Sequence, residues 1–322
     1  MGISGLAGIS HYRIIILKSL FCRLYQNFSL TLIYSFYKDL WTNAPKEADM
    51  EVPNYPWKGA ADLALPSYVE ANVVREYLND YVDHFSVREL IKTYHNVESV
   101  TYDSNDKTFQ VTVTNVANNE TCTEIYDFVV VATGHYSYPK NPTFPGEDTF
   151  PGTVMHSHDF TNGADYKDKR VLCIGGSYSA EDIALQCWKK GATAVHITTR
   201  RPGGFGYVDW PSTIMEKPIL TNISKSTVTF EDGTSEEYDA IIKCTGYVHK
   251  FDFLNGDHDM GGNIMVPNGL YKQCISISNP KLWFIGMQNL VYSSPMFQLQ
   301  GNKKVMPRAF LSIFSLFQNF IF

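Results

Sequence analysis

Arg170-Val171-Leu172-Cys173-Ile174-Gly175-Gly176-Ser177-Tyr178-Ser179-Ala180-Glu181-Asp182 is the stretch that decides the fold. An apolar run ends abruptly at two glycines. Residues 181–190 then follow with the spacing of a helix, and Gly191 stops it. Ala194–Thr198 forms a second apolar run, so the whole reads as strand, glycine turn, helix, strand: one βαβ unit. The turn meets the needs of a pyrophosphate site, where the chain bends sharply, the backbone comes close to the ligand, and a helix N-terminus faces the negative charge. Gly175 supplies the bend. The second and third glycine positions of the usual Gly-x-Gly-x-x-Gly hold Ser177 and Ala180, so the match is strict at one position, and a purely structural turn is the competing reading.

The end of the second strand separates the two nicotinamide cofactors. An acidic residue there would bond a free ribose 2′-hydroxyl, whereas Thr199, Arg200 and Arg201 suit a 2′-phosphate, so NADPH is expected over NADH. The candidate contacts are therefore Gly175, Gly176, Ser177, Tyr178, Ser179 and Ala180 in the loop, with Thr199, Arg200 and Arg201 beyond it.

On either side of this unit an apolar strand ends in Thr-Gly, at Val129-Val-Val-Ala-Thr133-Gly134 and Ala240-Ile-Ile-Lys-Cys-Thr245-Gly246. Such endings let a strand stop beside a ligand, although each is also an ordinary strand terminus. Residues 37–68 carry prolines too closely spaced for helix or central strand, and residues 67–94 have helical periodicity. Alternating runs at 99–102, 108–116 and 124–132 predict a small antiparallel set. Strands at 227–230 and 240–243 flank an Asp232-Gly233 turn, and residues 281–286 form another buried strand. The fold class expected is α/β, with a small dinucleotide-binding domain at 166–251 inserted into a larger domain at 37–165 and 252–300. Atypical segments at 1–36 and 301–322 flank them.

Composition narrows the partners. A net charge of -6 without clustered Lys and Arg argues against nucleic acid. The six cysteines contain no CxxC and read as buried thiols in a reducing compartment, which argues against structural zinc and a redox dithiol. The apolar stretch 14–36 is interrupted by Lys18, Arg23 and Asn27, and the run 309–322 is too short to span a bilayer but able to dip into its interface. A cytoplasmic or endoplasmic-reticulum-membrane-associated location is expected, with peripheral membrane contact through that tail and a homo-oligomer left as open alternatives.

Phe150-Pro-Gly152-Thr-Val-Met-His156-Ser-His-Asp-Phe160 resembles the Phe-x-Gly-x-x-x-His-x-x-x-aromatic fingerprint of the flavin-containing monooxygenases. Tyr37-Lys-Asp-Leu-Trp-Thr-Asn43-Ala-Pro-Lys46, Ala-Thr-Gly-His135, Gly-Gly-Ser-Tyr-Ser-Ala-Glu-Asp182, Cys-Thr-Gly-Tyr247 and Pro295-Met-Phe-Gln-Leu-Gln300 extend the resemblance from residue 36 to residue 300. It implies two Rossmann-like domains, the NADPH-binding one at 166–251 inserted into an incomplete FAD-type domain at 37–165 and 252–300, and an enzyme that uses FAD and NADPH to form a flavin hydroperoxide from dioxygen and passes one oxygen to a nucleophilic nitrogen or sulfur of a small amine or sulfide. By the same resemblance, Asn43 lies beside the flavin ring as the catalytic candidate. Lys46, Thr133, Gly134, Thr245, Gly246, His156 and Gln300 join the cofactor contacts. Locally, Asn43 also reads as an Asx turn before Pro45, Lys46 as a solvated cation and His156 as a structural imidazole.

The N-terminus departs from that family pattern. Gly2, Gly5 and Gly8 have the wrong spacing for the FAD loop, and residues 9–35 hold neither a second glycine cluster nor an acidic strand end. The central strand and helix of the large domain are expected to be missing, with residues 14–36 or a partner covering the apolar surface left behind. Residues 301–322 are also dissimilar, and a chain altered at both ends is the expectation. Two functions follow: a flavin-dependent monooxygenase, or a catalytically silent form that binds NADPH but not FAD.

Overall fold

The computed structural model describes residues 14–17, 55, 71–86, 88, 91–134, 136, 138–200, 211–255 and 268–287. The protein is α/β and divides into two compact units, with Pro139–Tyr247 in the second and the described residues on either side of it in the first.

In the first unit, strands β1 (Ile14–Leu17), β5 (Phe128–Val131) and β18 (Leu282–Phe284) run parallel, with Ile14 opposite Phe128 and Leu282 opposite Val129. β17 (Ile275–Ser276) and β16 (Leu270–Tyr271) extend this sheet with antiparallel pairing. A meander of β2 (His95–Asp103), β3 (Thr108–Asn115) and β4 (Glu120–Tyr126) supplies the rest of the core. Along β3, Phe109, Val111 and Val113 point inward to meet Val129, Val131, Leu282 and Phe284, while Thr112 and Thr114 pair their hydroxyls with Thr123 and Thr121 on the outer face. That two-residue alternation is what a sheet with one wet face requires. Each apolar side chain so buried contributes about 1.5–3 kcal/mol.

Four sequence expectations change here. The run 124–132 is two strands: β4 closes the meander, and after Asp127 the fully buried β5 belongs to the parallel sheet. A strand with four consecutive buried residues belongs in the middle of a two-sided sheet, not at the edge of a meander. The helix expected at 67–94 is α1 (Ala71–His84), because Ser86 takes a φ of 53° and turns the chain out of the helix. The strand expected to be missing has a counterpart in β1, drawn from the apolar segment 14–36 that is expected to cover the surface left behind. Finally, Cys122 is exposed on the edge strand β4; Cys173, Cys187, Cys244 and Cys274 are buried thiols, as expected.

In the second unit the chain enters through β6 (Tyr138–Pro139) and leaves through β15 (Tyr247–Val248), which pair with each other. Between them a parallel sheet forms in the order β10 (Ile214–Lys217), β9 (Ala194–Thr198), β8 (Arg170–Ile174), β14 (Ala240–Lys243), β7 (Thr153–His156). Val171 and Cys173 face helix α2 (Tyr178–Lys189) and pack on Ala180, Ile183, Ala184 and Cys187. Leu172 and Ile174 face the other way, onto Ile223, Val228 and Phe230 of the meander β11 (Leu220–Ser224), β12 (Thr227–Phe230), β13 (Ser235–Glu237). The sheet is thus covered on both faces, which is why its strands read as continuous apolar runs. The compact unit reaches back to Pro139, and β7 pairs with β14 in register from Thr153 opposite Ala240 to His156 opposite Lys243.

Among the described residues no helix is long and apolar enough to cross a membrane.

Candidate functional site

The loop after β8 has the backbone a pyrophosphate cradle needs. Gly175 has a φ of 146°, and a Cβ there would lie 2.1 Å from the carbonyl oxygen of Cys244. Only glycine fits both demands. Its amide donates to the Thr198 carbonyl at 2.9 Å, so the loop is also tied to the end of β9. A Cβ on Gly176 would lie 2.1 Å from Thr199 Oγ1, which draws Thr199 against the loop. Ala180 is fully buried in the helix–sheet core, where the third small residue of such loops allows close packing.

Ser177 is the N-cap of α2, and its carbonyl accepts from the amides of Ala180 and Glu181 at 2.8 and 3.2 Å. Its side chain makes no capping bond, and it lies exposed with Gly176 and Tyr178, while Ser179 is half-buried. The first amides of a helix have no carbonyl partner within it and carry the positive end of its dipole. Arg200 is exposed directly beyond β9. Gly175, Gly176, Ser177, Tyr178, Ser179, Ala180, Thr199 and Arg200 therefore come together at the C-terminal ends of β8 and β9, where ligands bind in open α/β sheets. The residues present fit a dinucleotide phosphate: two positions from which a Cβ is excluded lead into a helix N-terminus, with a cation at the neighbouring strand end.

The other expected contacts divide. Thr133 and Gly134 end β5; Gly134 has a φ of 73°, and a Cβ on it would meet no atom within 4 Å. Thr245 Oγ1 donates to the Lys140 carbonyl at 2.5 Å, and the Lys140 amide donates to the Gly246 carbonyl at 2.8 Å. The hydroxyl proton of Thr245 is thus used to hold the incoming chain. Asn43, Lys46, Arg201 and Gln300 lie outside the described residues.

The fingerprint residues are largely packing residues. Phe150 fills the meander side of the sheet, and Phe160, 1% exposed, stacks on Tyr166 on the helix side. Gly152 lets the chain pass the Asp239 carbonyl oxygen, 2.2 Å from where a Cβ would stand. His156 is buried at the end of β7, its Nδ1 accepts the His158 amide at 3.0 Å, and its ring meets Tyr247 edge-on at 5.3 Å. Burial lowers its pKa, against a smaller raising effect from the Gly246 backbone, so the ring is held neutral with its proton on Nε2.

Three features escaped the sequence reading. Asp182, on the second turn of α2, has its pKa pushed up to about 7 by burial and by the neighbouring Glu181. Cys173 is fully buried, and the neighbouring Cys244 together with that burial raises its pKa well above that of a free thiol and leaves it a poor nucleophile. Lys243, on a strand with no exposed residue, bonds Glu147 Oε1 at 2.5 Å and the Pro142 carbonyl at 3.0 Å. A lysine in an otherwise apolar buried strand was the available signal for that last contact.

Fold and site together define a dinucleotide-binding protein of the two-unit α/β type. Residues 25–206 match the flavin-binding monooxygenase-like family, and the chain belongs to that family. The family uses FAD and NADPH. The chain is 38% identical over 269 residues to the trimethylamine monooxygenase of Methylocella silvestris, covering 83% of this chain and 59% of the relative. Its structure is similar to that of Tmm from Pelagibacter sp. strain HTCC7211, with a TM-score of 0.76 and 35% identity over 82% of this chain and 59% of that one. It is also similar to S-allyl-L-cysteine S-oxygenase from Allium sativum, with a TM-score of 0.73 and 26% identity over 88% of this chain and 66% of that one. The chain thus spans about three fifths of the length of the trimethylamine monooxygenases it matches.

Proposed function

We propose that the protein is an NADPH- and oxygen-dependent flavin monooxygenase acting on a nucleophilic nitrogen or sulfur of a small amine or sulfide. The observation that carries this reading is the Gly175–Cys244 approach, which opens a phosphate cradle at the start of α2 in a chain of this family. Relatives named for trimethylamine and for S-oxygenation support both target atoms. When bound, FAD supplies the activated oxygen. The chain's own part is to bind and orient. Helix α2 receives the pyrophosphate of NADPH, with Gly175, Gly176, Ser177, Tyr178, Ser179 and Ala180 around it, while Thr199, Arg200 and Arg201 receive the 2′-phosphate. Thr133, Gly134 and Lys46 serve the FAD side, and Thr245, Gly246 and His156 hold the strand ends that frame the nucleotide. Gln300 lies on the stretch that returns toward the flavin. Asn43 orients the nicotinamide beside the flavin ring, so Asn43→Leu is expected to leave NADPH oxidation running while less product forms per NADPH consumed.

The test is product formation by the full chain with FAD, NADPH and dioxygen, offered trimethylamine or dimethyl sulfide. An N-oxide or sulfoxide that requires NADPH supports the proposal; NADPH binding with neither product contradicts it.

A second reading has its own observation. β1 stands parallel beside β5, yet the residues after it, Lys18-Ser19-Leu20-Phe21-Cys22-Arg23, include no glycine to turn around the FAD pyrophosphate. On this reading the chain binds NADPH, does not retain FAD, and is catalytically silent.

A further inference from the structure

We infer that the buried pair Lys243–Glu147 is a positioning device for the dinucleotide loop. The inference rests on Gly175 and its neighbours being the NADPH site. Lys243 is the last residue of β14, and its side chain is 4% exposed, against 16% for Glu147. Both carboxylate oxygens of Glu147 are engaged, Oε1 by Lys243 Nζ at 2.5 Å and Oε2 by the Phe144 amide at 3.1 Å. The ammonium also bonds the Pro142 carbonyl and lies 5.8 Å from the centre of the Phe144 ring.

Stability alone does not call for this arrangement. Exchanging a buried ion pair for apolar side chains of similar volume is often neutral or stabilising, and the other three residues of β14 are apolar. What the pair adds is direction. It fixes the segment 140–147 against the end of β14, where the Thr245 hydroxyl and the Gly246 carbonyl also bond Lys140.

Cys244, between those two anchor points, presents the carbonyl oxygen over which Gly175 turns, and its amide donates to the Ile174 carbonyl at 2.8 Å. A shift of the Cys244 carbonyl would therefore move the floor of the loop. Lys243 and Glu147 thus act on the nucleotide through Cys244 and Gly175, without touching it.

The experiment compares four forms of the full chain: wild type, Lys243→Arg, Lys243→Met, and the double variant Lys243→Met with Glu147→Leu. NADPH affinity is read by fluorescence titration, thermal unfolding by calorimetry, and exchange of the loop amides by hydrogen–deuterium mass spectrometry. The double variant is expected to recover the wild-type unfolding midpoint, yet to bind NADPH roughly tenfold more weakly and exchange its 175–180 amides faster. Lys243→Arg, which keeps charge and donors, is expected to stay within about threefold of wild type. Wild-type NADPH affinity and loop exchange in the double variant would overturn the proposal, and would do so even if Lys243→Met alone fails to fold. A wild-type chain that binds no NADPH would overturn the site reading, and the positioning role with it.

Discussion

Gly175 and Cys244 stand so close that a single methyl group cannot be placed between them: a Cβ on Gly175 would lie 2.1 Å from the Cys244 carbonyl oxygen. The obstacle is backbone directly after β14, and the φ of 146° excludes other residues independently. Gly175→Ala is therefore expected to lose NADPH binding and about 1–3 kcal/mol of stability. Gly176→Ala meets instead the Thr199 hydroxyl, a side-chain group. Adding Thr199→Ala should recover part of its NADPH affinity, whereas no side-chain change should recover Gly175→Ala. Titration of the two single variants and the rescued double variant checks this directly.

In the proposed function the preference between nicotinamide cofactors is assigned to Arg200 and Arg201, which follow β9 in the sequence. Charge-assisted hydrogen bonds to a phosphate are each worth about 1.5–3 kcal/mol. Changing Arg200 and Arg201 together to Ala should weaken NADPH by at least roughly tenfold while leaving NADH nearly unchanged. Equal losses for both cofactors in parallel titrations would remove the 2′-phosphate assignment.

Asp182 and His196 make stability depend on pH in opposite directions. With its pKa near 7 in the fold, against 3.8 for a free side chain, Asp182 keeps a proton that the unfolded chain has released. Its contribution is therefore lost as pH rises through that window. His196, buried and hydrogen-bonded through Nδ1 to the Tyr238 hydroxyl at 2.7 Å, has its pKa lowered to about 4. The unfolded chain takes up that proton first, so stability is lost as pH falls from 6.5 toward 4. Asp182→Asn should exceed wild type in urea unfolding by more at about pH 8 than at about pH 5. A difference that does not grow with pH would mean that Asp182 titrates normally.

Much of the second unit was legible because its strands are buried on both faces and punctuated by glycine. The bounds of β8, β9, β12 and β14 follow directly from apolar runs that end at turns. Where the reading went astray, the deciding information was not local. One residue, Asp127, separates a meander strand from a strand of a different sheet. Helix α1 ends at His84, two residues before a serine of positive φ, which periodicity does not register. Residues 153–156 join the second sheet only through their pairing with β14. The Lys243–Glu147 contact joins residues 96 apart, so neither predicts the other in sequence. The glycine turn between β8 and α2 was legible because it is written in consecutive residues. The reason Gly175 must be glycine was not, since the Cys244 carbonyl reaches it from just beyond the end of β14, nearly seventy residues away in sequence.

The central claim is that this chain works with both cofactors, and its most direct test is the visible absorption spectrum of the purified full-length protein, before and after incubation with FAD and removal of the excess. The account predicts a yellow protein whose flavin absorbance bleaches when NADPH is added without oxygen and returns when oxygen is admitted. A colourless protein that binds NADPH and stays colourless after incubation with FAD would contradict it.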